Sequence, residues 1–177
     1  MKWFLIIAVI LLLPILVILV AGLFQPVKHS VTRSLHLNQK PEVVFALLAD
    51  STNLPSWSST VASVESIPAQ DGKPVVKCTL KWGHMQMVMT QNESTSPSRL
   101  VITMSKPTGT VLGTWTYQIK PDTEGCRVTL TEDGEIKNPF FRVMARMRGL
   151  DANINQTLQD LTKRFGESAD ISNRLPN

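Results

Sequence analysis

The feature that most constrains the fold is a series of seven strand-like segments, followed by one long stretch with helical periodicity. Short links containing Gly, Pro and Asp separate the last six segments, which predicts antiparallel hairpins. The sheet must cover its apolar face, and only the helical stretch is long enough to do so. We therefore expect an α+β fold in which a seven-stranded, curved antiparallel sheet surrounds a long C-terminal helix. The strand-like segments are Val31–Asn38, Val61–Ile67, Pro74–Trp82, Met85–Asn92, Leu100–Met104, Leu112–Ile119 and Cys126–Ile136.

The helical stretch runs from Pro139 to Gly166 and shows one apolar stripe. Asn138 before Pro139 is a typical helix start, and Gly166 is a typical stop, so a single helix is predicted. A shorter helix is predicted from about Pro41 to Asp50, with Asn38 as its N-cap. The stripe consists of Met144, Met147, Leu150, Ile154, Leu158, Leu161 and Phe165.

One hairpin can be predicted in register. Gly83-His84 is a two-residue link with Gly first, which is typical of a type II′ turn. With this turn, the apolar side chains of the two connected strands lie on the same face of the hairpin. The predicted opposite pairs are Trp82 with Met85, Leu80 with Met87, and Cys78 with Met89.

An uncharged segment, Trp3–Phe24, precedes the strands. As a helix it would be roughly 33 Å long, enough to cross a hydrocarbon core of about 30 Å. It is longer than the apolar core of a cleaved signal peptide, so we expect a retained single-pass membrane anchor. Residues 1–27 are thus the predicted anchor and tether, 28–167 the folded domain, and 168–177 a polar tail.

The charges beside the anchor give little orientation. Lys2 and the α-amine lie on one side of the apolar segment, and Lys28, Arg33 and Lys40 lie on the other. The positive charges on the two flanks are therefore nearly balanced, and the positive-inside rule favours neither orientation clearly. A charged start followed by an apolar run is similar to an export signal. We therefore expect the domain on the non-cytoplasmic side of the cell membrane.

The remaining charge is mildly basic and dispersed, which argues against nucleic acid as a partner. The formal net charge is +4, and charged residues make up 18% of the chain. Arg142 and Arg146 are four residues apart on the predicted long helix, where they could bind anionic lipid head groups. The alternative for this pair is an ordinary solvated helix face.

Catalytic and metal-binding patterns are missing from the sequence. The three histidines are dispersed, and no HExxH, HxH or GxSxG pattern occurs. Glu132 and Asp133 are adjacent acids, for which the alternative to acid–base chemistry is a solvated turn. The sequence therefore predicts no catalytic residue, no metal site and no cofactor, and it carries no signal for an oligomeric state.

Several motifs resemble the START/SRPBCC superfamily, in particular its polyketide cyclase/dehydrase and lipid-transport branch. The resemblance covers about Ser30 to Glu167 and implies a helix-grip fold with a cavity between sheet and C-terminal helix. Members of the family bind lipids, sterols, polyketides and aromatic molecules, and few are enzymes; a membrane anchor is an addition to their usual pattern. The motifs are Pro41–Asp50, Leu54–Trp57, Gly125–Glu132, Asn138–Pro139 and Leu158–Leu161.

The family topology also implies that Cys78 and Cys126 lie on strands that are not neighbours. Two free, packed thiols are therefore expected. Trp57 is expected to anchor the loop between the short helix and the next strand rather than to contact a ligand.

The cavity implied by the resemblance lets us assign candidate ligand contacts. Flexible thioethers suit a pocket that adapts to irregular apolar ligands, and aromatic side chains supply a wall with a polar handle. The alternative is that these side chains simply fill a core. The candidates are Trp82, Met85, Met87, Met89, Met104, Trp115, Tyr117, Met144 and Met147.

The predicted function is binding of a hydrophobic small molecule or lipid by a membrane-anchored domain. Two alternatives stay open at this point. One is a polyketide cyclase/dehydratase-type enzyme using Tyr117. The other is an interaction module whose interior is filled by side chains.

Overall fold

A computed structural model describes residues 2–168, 170 and 171, and the side chains of residues 4–9 and 11 lie outside that description. The tail predicted for 168–177 therefore falls mostly outside the described residues. The chain divides into two compact units. The first comprises the chain up to His29 together with Glu135–Leu150, and the second comprises Ser30–Gly134 together with the chain from Asp151 onward.

Seven strands form one sheet, as predicted, in the order β1-β7-β6-β5-β4-β3-β2. Sequence neighbours from β2 to β7 pair as antiparallel hairpins. β1 runs antiparallel to β7, because Thr32 lies beside Thr131 while Leu37 lies beside Gly125. The strands are β1 (Lys28–Leu37), β2 (Val61–Gln70), β3 (Lys73–Leu80), β4 (Gln86–Thr95), β5 (Arg99–Ser105), β6 (Val111–Asp122) and β7 (Gly125–Glu135).

The prediction for the cysteines is confirmed. Cys78 lies on β3 and Cys126 on β7, which are not neighbours in the sheet. Both thiols are free and buried.

The helices are α1 (Lys2–Leu23), α2 (Pro41–Ala49), α3 (Leu54–Trp57), α4 (Pro139–Arg148) and α5 (Ala152–Arg164), with a 3₁₀ turn at Ser51–Asn53 before α3. Asn38 does not cap α2, which is preceded by Lys40 and begins at Pro41. Pro41 tolerates this first position because its missing N–H would have no partner within the helix.

The predicted single C-terminal helix is wrong, because the chain breaks at Gly149. This glycine has φ of +94°, a region that residues with a Cβ rarely adopt. The predicted start and end of the helical stretch are nevertheless correct. The Asn138 side chain accepts a hydrogen bond from the N–H of Phe140 at 2.9 Å, and Gly166, with φ of +71°, follows the end of α5.

The core of the second unit lies between the sheet and helices α2 and α5. Ile154, Leu158 and Leu161 of α5 are fully buried. They belong to one cluster with side chains from the inner face of the sheet, which include Leu35, Leu37, Leu100, Ile119, Val128 and Leu130. Helix α5 alone therefore occupies the position that the sequence predicted for a longer helix.

The β3–β4 hairpin differs from its predicted register. Its loop is Lys81–Met85 rather than Gly83-His84, and the N–H of Leu80 bonds to the carbonyl of Met85 at 2.8 Å. Cys78 consequently lies opposite Met87 instead of Met89. The Lys81 N–H donates to the carbonyl of Thr60 and is therefore not part of the hairpin ladder. The shift is two residues, so the same side chains still face inward.

In the first unit α1 packs against α4. A Cβ at Gly22 would overlap the backbone of Pro139, so glycine is needed for this close approach. Arg142 is buried and donates to the carbonyl oxygens of Gln25 at 2.8 Å and Lys137 at 3.1 Å. The prediction that Arg142 binds a membrane surface is therefore wrong, whereas Arg146 is exposed.

Within the described part of the chain, no helix combines the length and hydropathy needed to cross a membrane.

Candidate functional site

A mostly apolar cavity lies in the second unit, between the inner face of the sheet and α2, α3 and α5. The sheet contributes side chains from β2 to β6, and α5 contributes Thr157. The sheet residues that line it are Val61, Leu80, Met87, Met89, Ile102, Met104, Trp115 and Tyr117. Strand alternation explains this set, because residues two apart on one strand face the same side.

Three methionines lie together in this wall. Met87 and Met89 are two residues apart on β4, and Met104 of β5 pairs directly with Met89. The Cys78 thiol donates to the sulfur of Met89 at 3.4 Å, which adds a further polarizable atom behind the wall. This part of the cavity can change shape by rotation of unbranched side chains.

Hydrogen-bond donors stand in the same wall. Trp115 and Tyr117 contact edge to face, with ring centroids 6.3 Å apart. Burial, together with the charge of Glu132, raises the pKa of Tyr117, so its hydroxyl stays protonated at neutral pH. The indole nitrogens of Trp57 and Trp115 are buried and have no hydrogen-bond partner among the described residues.

The cavity is small, with a volume of about 60 Å³. That is room for a few water molecules and far less than the roughly 300–1,000 Å³ of typical ligand pockets. A groove of about 330 Å³ lies next to it and is lined by residues of β2, β3 and β4 and by Asp50 and Thr52. Both spaces share Ser51 and Met89 in their walls. The buried Met89 side chain therefore stands between groove and cavity.

The structure brings together five of the nine candidate ligand contacts: Met87, Met89, Met104, Trp115 and Tyr117. Trp82 and Met85 are on the hairpin loop and are exposed, because the loop is wider than predicted. Met144 and Met147 are also exposed and belong to α4 in the first unit, since the chain breaks at Gly149. These four side chains therefore do not line the cavity.

Helical residues complete the lining, and sequence reasoning missed them. Trp57 lines the cavity together with Leu48 and Leu54, so its expected role as a loop anchor alone was too narrow. The Leu54–Trp57 motif was recognised in the sequence and could have indicated that these residues belong to the site. The direction in which the Trp57 side chain points depends on the preceding 3₁₀ turn, which sequence periodicity does not reveal.

The residues considered for catalysis do not form a paired site. Glu132 and Asp133 are consecutive within β7, so their side chains point to opposite faces of the sheet. Among the described residues, no three His, Cys, Asp or Glu side chains are grouped so that they could hold a metal ion. The chemistry that this cavity offers is apolar burial combined with hydrogen-bond donation.

Comparison with known folds agrees with this architecture. The ZhuI aromatase/cyclase from Streptomyces sp. R1128 is 14% identical, with 76% of this chain and 91% of that chain covered and a TM-score of 0.60. A START superfamily protein from Mycobacterium smegmatis is 11% identical, with 77% of this chain and 96% of that chain covered and a TM-score of 0.59. A protein from Thermus thermophilus is 19% identical, with the same coverage and TM-score. At these identities the likeness shows the fold.

No curated protein sequence matches the chain. Residues 28–166 match the model of the family described as polyketide cyclase / dehydrase and lipid transport. This match covers most of the chain. The chain therefore belongs to the family described as polyketide cyclase / dehydrase and lipid transport.

Proposed function

We propose that this protein is a membrane-attached binding protein for a hydrophobic small molecule or lipid that carries a hydrogen-bond acceptor. The ligand is held in the cavity between the sheet and α5 and is not chemically changed. Trp57 and Trp115 carry the proposal, because both line an apolar cavity while their indole N–H groups are buried without a partner among the described residues. A buried donor without a partner costs about 1–3 kcal/mol, which an acceptor oxygen on a ligand would recover.

The cavity must enlarge to take such a ligand. Met87, Met89 and Met104 are unbranched and can rotate without strain on the backbone. Rotation of Met89 would also join the cavity to the neighbouring groove, because this side chain is shared by both walls. The combined space would approach the size of ordinary ligand pockets. Burial of apolar ligand surface, at about 25 cal/mol per Å², would supply most of the affinity.

Attachment to the membrane is the second part of the proposal. Its support is the uncharged segment Trp3–Phe24. Most of the described large apolar side chains of α1 are exposed, among them Leu12, Leu13, Leu16 and Val17, whereas Ile18 is half-buried. An apolar patch of this size on a soluble monomer is unusual, and a bilayer would cover it. We propose a single-pass attachment with the folded domain on the non-cytoplasmic side.

Native mass spectrometry of the purified full-length chain, with organic extraction, tests ligand binding. We expect an added mass that extraction removes and that Met87→Trp abolishes, because the larger side chain fills the cavity. Met85→Trp is the matched control, since Met85 is two residues away but exposed. A bound mass that Met87→Trp and Met85→Trp affect equally would place the ligand elsewhere. A product released from a supplied polyketide would favour the cyclase alternative.

Carbonate extraction of cell membranes tests attachment. We expect the native chain to stay in the pellet and the double variant Leu12→Arg/Leu16→Arg to be released, because charges at mid-helix are costly in the bilayer core. Release of the native chain by carbonate would contradict the anchor.

A further inference from the structure

Two loops of the sheet expose large apolar side chains. Trp82 and Met85, in the β3–β4 loop, are 85% and 56% exposed. Val111 and Leu112, which follow the β5–β6 turn, are 56% and 38% exposed. A group of large apolar side chains exposed together on a protein surface can mark an interaction site.

Strand register places both loops at one end of the sheet. Val88 of β4 pairs with Ser105 of β5, and Ser105 pairs with Val111 of β6. The β3–β4 loop and the β5–β6 turn therefore project from neighbouring strands in the same direction. We define this end of the sheet by Lys81–Met85 and Lys106–Leu112 and call it the loop end.

The loop end is basic as well as apolar. Lys81 and Lys106 lie in these two segments, and neither segment contains Asp or Glu. Both lysines are exposed, although the Lys81 ammonium also donates to the carbonyl of Ser58 at 3.1 Å. Tryptophan with lysine beside it is typical of protein surfaces that contact lipid head groups. An acidic surface would complement this charge, and anionic phospholipids provide one.

The chain also enters the sheet at the loop end. Thr32 of β1 lies beside Thr131 of β7, and Gly134 near the end of β7 pairs with Gly113 near the start of β6. The first residues of β1 thus lie at the end from which the β5–β6 turn projects. Four residues, Phe24–Val27, connect the apolar helix to β1, a link of less than about 20 Å even when fully extended.

We infer that the loop end docks on a phospholipid bilayer, with Trp82 and Met85 at the level of the head groups and Lys81 and Lys106 against anionic lipids. This inference rests on the proposed membrane attachment, which holds the start of β1 close to the bilayer. Leu80 and Met87 flank the β3–β4 loop and line the cavity. Docking therefore brings the bilayer surface next to the cavity wall and gives a lipid a short path between them.

Fluorescence quenching of the full-length chain in nanodiscs tests this inference. The discs contain an anionic phospholipid, with or without bromine on the acyl chains, and the Trp82 signal is the difference between the native chain and Trp82→Phe. We expect brominated lipid to lower this signal at least twofold. The control Trp82→Phe/Thr123→Trp moves the tryptophan to the exposed β6–β7 turn, at the opposite end of the sheet, where we expect no quenching.

Three outcomes are distinguishable. Quenching confined to Trp82 supports docking. Incorporation of the chain into discs with equal quenching at the two positions overturns docking and leaves membrane attachment intact. A chain that does not enter discs and is released from membranes by carbonate overturns both proposals.

Discussion

Asp160 and Ser59 join α5 to the loop that leads into β2. One carboxylate oxygen of the buried Asp160 accepts hydrogen bonds from the N–H and the hydroxyl of Ser59, each at 2.7 Å. Its second oxygen accepts from the Gln156 amide at 3.0 Å. Ser58 and Thr60, on either side of Ser59, line the cavity. The pair therefore fixes the Ser58–Thr60 segment of the cavity wall.

Replacement of Asp160 tests this role. We expect Asp160→Ala to lower the free energy of unfolding by about 2 kcal/mol, because the Ser59 donors lose a charged acceptor. Gln159→Ala is the control, since Gln159 is adjacent and exposed. Denaturant unfolding measures both variants, and equal losses would show that the carboxylate has no special role.

A second prediction concerns acid pH. A hydrogen bond from Arg33, at 2.7 Å, and one from Asn155 lower the pKa of Asp151. Because the folded-state pKa lies below the unfolded value of about 3.9, the pair stabilises the fold above that value. This contribution is lost as the pH falls through the folded-state pKa.

Unfolding curves of the native chain and Asp151→Asn between pH 3 and pH 7 measure this effect. We expect a constant stability difference above about pH 5 that shrinks below about pH 4. A difference that stays the same at pH 3 would contradict a stabilising role of the ionised carboxylate.

The cysteines are predicted to be inert in the folded chain. Burial raises the pKa of Cys78 to about 11. Burial, with the nearby charges of Glu167, Glu42 and Asp122, raises the pKa of Cys126 to about 11. At neutral pH almost no thiolate is present, so we expect no maleimide labelling without denaturant and labelling of both thiols in urea, read by mass. Rapid labelling of the native chain would show that the interior opens.

Ligand chemistry gives a fourth prediction. We expect 2-acetylnaphthalene to bind more tightly than 2-ethylnaphthalene, which has a similar shape but no acceptor. In Trp115→Phe this preference should fall by about 5–10-fold, the effect of one hydrogen bond. Calorimetric titration measures both ligands, with Met85→Leu as an exposed control. An unchanged preference in Trp115→Phe would exclude its N–H as the donor.

Strand and helix positions were predictable because local periodicity determines them. Alternation identified all seven strands, and Asn138 with Pro139 marked the start of α4. The break at Gly149 was not predictable in the same way, because the apolar stripe continues through it. A positive φ at one glycine, not periodicity, ends α4 and moves Met144 and Met147 away from the cavity.

The sequence predicted cavity-lining residues correctly only where the alternation of side chains along a strand determines which face of the sheet they lie on. Met87, Met89 and Met104 face the cavity even though the hairpin register is shifted by two residues, since a shift of two preserves the face. Trp82 and Met85 were misplaced because the Lys81 N–H is bonded to Thr60, a contact between segments distant along the chain. Arg142 was misplaced for a similar reason, since its carbonyl partner Gln25 lies far away in sequence.

Methyl NMR of the full-length chain labelled at the methionine methyl groups tests ligand binding in the cavity most directly. The spectrum contains its own controls, because Met87, Met89 and Met104 line the cavity while Met85, Met144 and Met147 are exposed. On titration with 2-acetylnaphthalene we predict that the three cavity methyl signals shift in a saturable way and the three exposed ones do not. No saturable shift at any cavity methionine, or equal shifts at all six, would contradict a ligand site between the sheet and α5.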